Sequence, residues 1–125
     1  MPQLIALVDD LLFLSRIREA ARAAGIEVRA VRGASDLLAS ARDEGRLVLV
    51  DADSDRLPWQ AAVAALRAEP EFQALPVVAF VSHVRADRAA AARGAGATRV
   101  LARSAFVEAL PALVALAKEP AAEAP

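Results

Sequence analysis

Five times along this chain a short apolar run gives way to a longer segment with helical spacing, and that alternation restricts the fold more than any single residue. "QLIALV" (3–8) is mostly apolar and stops at Asp9 and Asp10, as a buried strand would. "LLFLSRIREAARAAG" (11–25) then sets Leu11, Leu14, Ile17 and Ala21 on one helical face, with Gly25 suited to the C-terminal cap. "IEVRAV" (26–31) alternates apolar and charged residues, which predicts a strand at a sheet edge. Ser35 suits the cap of a helix from Asp36 to about Glu44, ended by Gly45. "LVLV" (47–50) is apolar on both faces and reads as a central strand.

The second half repeats the pattern. Pro58 and Trp59 open a helix to about Ala68, and Pro70 prevents its continuation. "PVVAFVS" (76–82) is a fourth strand, "RADRAAAARGAG" (85–96) a helix ended by glycine, and "TRVLA" (98–102) a short fifth strand. Ser104 suits the cap of a last helix in which Pro111 implies a kink or a delayed start. Residues 1–118 are expected to form one domain, with 119–125 a frayed tail. Strictly alternating strands and helices predict parallel strands, right-handed crossovers and helices on both faces. At 125 residues the chain is too short for a closed eight-stranded barrel. The expected fold is therefore α/β: a flavodoxin-like (βα)5 doubly wound parallel sheet, strand order 2-1-3-4-5, in a three-layer sandwich.

Composition removes several functions. With no cysteine, disulfides and thiolate metal sites are excluded. A net charge of −1, from 15 basic and 16 acidic residues, gives no reason to expect nucleic acid as a partner. No charge-free apolar run approaches the roughly 18 residues that span a bilayer. Asp9 and Asp10 also interrupt the first apolar stretch before a signal peptide could form. A cytoplasmic protein is expected.

In the 2-1-3-4-5 order the first and third strands are neighbours, so Asp9, Asp10 and Asp51 converge at their carboxyl ends, where open α/β sheets place their sites. Like charges at such distances repel and raise one another's pKa unless a cation lies between them. Oxygen-only donors suit a hard divalent ion such as magnesium, and a cationic side chain is the other solution.

"ALVDD", "LVLVDAD", "VVAFVS" and "GATRVLARS" follow one another in the order of the receiver domain of bacterial response regulators, which this chain resembles from residue 3 to about 117. The resemblance implies that Asp51 is the phosphoacceptor. It implies that Asp9 and Asp10 hold a weakly bound Mg2+ together with Asp51 and the backbone carbonyl of Asp53, and that Ser82 hydrogen-bonds the phosphoryl oxygens. The family's lysine falls on Arg103, a planar fork in place of a flexible ammonium, expected to point into the acidic crevice as counter-charge and phosphate ligand. The proline that follows that lysine is Ser104 here, and a cis bond without proline costs roughly 3 kcal/mol, so a trans bond is expected. His83 stands where the family has a small residue and would gate the pocket, while Val100 replaces the aromatic switch residue. "SDRLPW" replaces the usual Met-Pro…Gly loop.

Two readings follow from the resemblance. In the first, a stand-alone receiver takes a phosphoryl group on Asp51 from a histidine kinase or phosphotransfer protein. It then signals to a downstream protein through the face of the fourth helix, fifth strand and fifth helix, as a monomer or weak homodimer. In the second, a pseudo-receiver keeps the fold as a phosphorylation-independent interaction module, with Arg103 locking the acids. Neither is an enzyme beyond self-phosphorylation and slow autodephosphorylation, and no nucleophile other than Asp51 is evident. Arg85, Arg88, Arg93 and Arg99 surround the fourth helix and fifth strand, the surface that partners touch in receivers. The side chains of Asp53 and Asp55 are expected to be solvated or to cap the next helix, and Trp59 and Phe80 to be core, with Phe106 partly so. "DAD" also resembles the Asp-x-Asp of Mg-dependent phosphatases of the haloacid-dehalogenase type, without their lysine and later acidic motif.

Overall fold

The computed structural model describes residues 3–82 and 85–118. Its elements are β1 (Leu4–Leu7), α1 (Leu11–Ala23), β2 (Val28–Ala30), α2 (Ala34–Arg42), β3 (Leu47–Asp51), α3 (Trp59–Ala68), β4 (Val77–Val81), α4 (Ala86–Ala95), β5 (Arg99–Ala102) and α5 (Arg103–Lys118). One 3-10 turn, Pro70–Phe72, follows α3. The strands form one parallel sheet, as the alternation predicts, in the order β2-β1-β3-β4-β5 expected of a flavodoxin-like fold. The short β2 lies at an edge, and β3 sits in the middle with every residue buried.

Although β1 and β4 are apolar throughout and β3 is apolar up to Asp51, their side chains alternate between two cores, because successive residues of a strand face opposite ways. Ile5, Leu7, Val48 and Val50 meet α2, α3 and α4, whereas Leu4, Ala6, Leu47 and Leu49 meet α1 and α5. Phe13, Phe80 and Phe106 stack in the second core, with ring centroids 4.8 Å apart for Phe13–Phe80 and 4.6 Å for Phe80–Phe106. Trp59 is buried in the first core, and Phe106 is fully buried in the second.

Three local expectations need correction. The inward face of α1 is Phe13, Ile17 and Ala21, while Leu11 and Leu12 are 78% and 62% exposed. The Asp10 carboxylate accepts the Leu12 and Phe13 N–H groups, so the cap sets the phase of the helix and delivers Phe13 to the aromatic stack. Ser35 does not cap α2. Gly33 does, and Asp36 reaches back to accept the N–H groups of Arg32 and Gly33. Nor does α5 wait for Ser104. It starts at Arg103 directly after β5 and runs through Pro111, whose side chain lies on the exposed side.

α2 stops at Arg42 with Asp43 as its cap, earlier than the expected end at Gly45, and Gly45 is required there by close packing more than by conformation. The left-handed residue is Glu44, at φ 65°, and a Cβ on Gly45 would lie 3.0 Å from Ala41 Cα and 3.1 Å from the Ser40 carbonyl oxygen. The tail 119–125 lies outside the described residues.

Candidate functional site: an acidic crevice around a guanidinium

Pairing of β1 with β3 sets Leu7 beside Val50, so the next residues of both strands emerge side by side at the carboxyl edge. Asp9, Asp10, Asp51 and Asp53 line one cleft there together with Arg103. Asp51 is 2% exposed. Its Oδ2 accepts the N–H groups of Asp9 (3.3 Å) and Asp10 (3.2 Å), and its Oδ1 that of Asp53 (3.1 Å). Burial pushes the Asp51 carboxyl up from its ordinary value, against the pull of those N–H groups and of the Arg103 charge.

The other acids are engaged as well. Asp10 caps α1 with Oδ1 and receives Arg103 Nη1 on Oδ2 at 3.1 Å. Asp9 accepts the Ser54 hydroxyl on Oδ2 (3.1 Å) and faces Arg56 at 3.5 Å. Burial acts to raise the Asp10 carboxyl, but the Phe13 N–H and the Arg103 guanidinium outweigh it and hold it below the ordinary range.

Asp53 differs most from expectation. Its carboxylate turns inward, with the side chain 10% exposed. It accepts the Ser82 N–H (2.9 Å to Oδ2, 3.1 Å to Oδ1), the Ser82 hydroxyl (3.1 Å) and Arg103 Nε–H (2.8 Å), with Arg85 Nη1 3.8 Å away. Burial acts to raise its pKa, and the hydrogen bonds from Arg103 and Ser82 overcome burial and lower it. The expected solvated or capping side chain is therefore an ion pair in the crevice. Its neighbour Asp55 is exposed and pairs with Arg88.

Arg103 leaves the end of β5 at the first residue of α5 and lies over Phe13 and Phe80, its guanidinium carbon 4.5 Å and 5.3 Å from their ring centroids. From there its fork reaches Asp53 through Nε and Asp10 through Nη1, with Nη2 3.9 Å from Asp51. A lysine carries its charge at one point and could not serve these directions together. Burial acts to lower the Arg103 pKa, but its bonds to Asp53 and Asp10 prevail and raise it.

This donor set does not fit a divalent ion. Among the described residues no three acidic side chains converge on a common metal position. The acids surround a guanidinium instead, and the Asp53 carbonyl, the expected backbone ligand, lies 3.5 Å from Arg85 Nη1. Ser82, expected to hold phosphoryl oxygens, gives both its N–H and its hydroxyl to Asp53. His83, expected to gate the pocket, lies outside the described residues.

Residues missed in the sequence complete the site. The Ser54 hydroxyl donates to Asp9 and accepts the N–H groups of Arg56 (3.1 Å) and Leu57 (2.9 Å), which shapes the β3–α3 loop. A serine three residues before an apolar residue and followed by Pro58 is the signal that could have shown this. Arg88 donates through Nη1 to the carbonyls of Ala52 and Ser54, both at 3.0 Å, so it turns back to the loop and away from partners. Arg93 and Arg99 remain exposed.

No protein-family profile and no curated protein sequence matches the chain. Solved structures do. A response regulator protein from Burkholderia multivorans is 28% identical, with TM-score 0.71, over 96% of this chain and 97% of that one. The receiver domain of NtrX from Brucella abortus is 22% identical, with TM-score 0.72, over 91% and 96% of the two chains. A two-component response regulator from Legionella pneumophila is 12% identical, with TM-score 0.76, over 94% and 98%. The fold is that of a response-regulator receiver domain.

Proposed function

We propose that this chain is a two-component-type signalling module that acts through protein contacts, with its acidic crevice neutralised from within instead of being set by phosphotransfer to Asp51. The observation that carries this reading is Arg103, bonded to Asp10 and Asp53 and lying beside Asp51. With Arg56 facing Asp9 and Arg88 paired to Asp55, each carboxylate of the crevice has a cationic or N–H partner of its own. A divalent cation is thus not required to relieve their repulsion. The exposed Arg93 and Arg99 support the face of α4, β5 and α5 as the contact surface for an acidic partner. Among the described residues no helix is long and apolar enough to cross a membrane.

Intact mass after incubation with Mg2+ and acetyl phosphate tests the reading. The expected result is an unchanged mass. A gain of one phosphoryl group that Asp51→Asn abolishes would overturn it in favour of the phosphoaccepting receiver, for which a histidine kinase or phosphotransfer protein would be the donor. That second reading is favoured by one observation, the position of Asp51 at the end of β3 on the cleft.

A further inference from the structure

We infer that α4 is a detachable cover on the first core, fastened at its two ends by arginine side chains, that undocks as a unit while the rest of the sheet stays folded. The inference goes beyond the reading above and stands without it; only its use in signalling rests on that reading.

Large apolar side chains pin the neighbouring helices: α1 buries Phe13 and Ile17, α3 buries Trp59 and Leu66, and α5 buries Phe106 and Leu113. In α4 ("ADRAAAARGA") every apolar residue other than Gly94 is alanine, and Ala92 is the one buried residue. Ala89, Ala91 and Ala95 lie against the first core only partly buried. Apolar stabilisation follows the area removed from water, so a row of methyl groups holds α4 far less than a tryptophan and a leucine hold α3. Alanine favours the helix itself, yet a ten-residue helix is too short to persist alone, so leaving the core also unwinds it. Polar bonds replace the missing apolar grip. From the first turn Arg88 reaches the β3–α3 loop, donating through Nη1 to the carbonyls of Ala52 and Ser54 at 3.0 Å each and pairing through Nη2 with Asp55. Arg85, just before the helix, adds a longer bond to the Asp53 carbonyl at 3.5 Å. At the far end Arg67 of α3 donates through Nε to the carbonyl of Gly96, the residue that caps α4, at 2.8 Å. Undocking uncovers the side of β4 and β5 that α4 covers. It also parts Arg93 on α4 from Arg99 on β5, the exposed cations of the contact face proposed above, so that face is complete only while α4 is docked.

The test is native-state amide hydrogen exchange of the whole chain, read by NMR across low urea concentrations and corrected for intrinsic exchange rates. In the wild type the amides of residues 90–95 should exchange at least about tenfold faster than the slowest amides of α3 and α5, and with a weaker dependence on urea, as a local opening requires. Arg88→Met should speed the α4 amides by a further factor of about ten or more. Arg93→Met, on the exposed side of the same helix, should leave them within about twofold. If the α4 amides exchange at the rate and with the urea dependence of α3 and α5, the helix opens only with the whole molecule and the inference is overturned. Equal effects of Arg88→Met and Arg93→Met would overturn the fastening by Arg88. Should Arg88→Met not fold, the urea dependence of the wild type still decides whether α4 detaches. Neither a phosphodonor nor a partner is present, so failure of the proposed function leaves this result readable on its own.

Discussion

At each edge of the sheet an arginine ties neighbouring elements together, and the two differ in what they hold. At the carboxyl edge Arg103 binds the carboxylates of Asp10 and Asp53. At the amino edge Arg67, from the end of α3, donates to the carbonyls of Gly96 (2.8 Å) and Phe72 (2.7 Å) and to the Thr98 hydroxyl (3.0 Å). That hydroxyl in turn accepts the Val77 N–H at 3.0 Å. Gly96, at φ 121°, leaves room for the Arg67 stem, which a Cβ there would strike. Burial lowers the Arg67 pKa, with no anion to oppose it. In Arg103 the same penalty is outweighed by Asp53 and Asp10, and the pKa rises. Neutral partners make Arg67 a joint between α3 and the starts of β4 and β5. Anionic partners make Arg103 part of a site, since charge held in a crevice can be exchanged for another charge.

Substitution should separate the two roles. Arg103→Met strands Asp10, Asp51 and Asp53 without their cation and should cost about 3–5 kcal/mol in urea unfolding at neutral pH. Arg67→Met removes donors from neutral acceptors and should cost less, about 1–3 kcal/mol. Equal losses would erase the distinction between site and joint.

Acid sharpens the comparison through linkage. The folded pKa values of Asp53 and Asp10 are lowered, so their contribution is complete above the ordinary aspartate range and is lost as pH falls through the folded values. Asp51 runs the other way. Its folded pKa is raised, so it favours the fold below the ordinary range and loses that advantage as pH rises through the folded value. The loss caused by Arg103→Met should therefore shrink on acidification, because the stranded carboxylates take up protons. The loss caused by Arg67→Met should stay nearly constant, its partners having nothing to titrate. Parallel pH profiles for the two variants would contradict this.

Much of this was legible in the chain itself. Apolar runs of strand length between amphipathic segments gave a parallel, doubly wound sheet, and the flavodoxin-like type of that fold supplied the strand order. That order brought Asp9, Asp10 and Asp51 together, and the resemblance to receiver domains set Arg103 beside them. What escaped depends on side-chain direction in loops and on helix phase, which local pattern does not encode. Asp53 and Asp55 stand two residues apart in "DADSD", yet one is drawn inward by Ser82 and Arg103 and the other remains outside with Arg88. Leu11 matches the stripe of Leu14, Ile17 and Ala21 by spacing, yet it is exposed and Phe13 takes the inward place, which the Asp10 cap and the aromatic stack decide. Arg67 lay in an unremarked helix end because its acceptors are mostly backbone carbonyls, for which sequence has no symbol.

The central claim is that Asp53 lies inside the crevice as the paired anion of Arg103, and carboxyl-carbon NMR across an acid titration tests it most directly. The account predicts that Asp53 titrates below the ordinary aspartate range and Asp51 above it, with the Arg103 Nε–H resonance following Asp53. An Asp53 that titrates at the value of an exposed aspartate, with the Arg103 resonance unmoved, would contradict it.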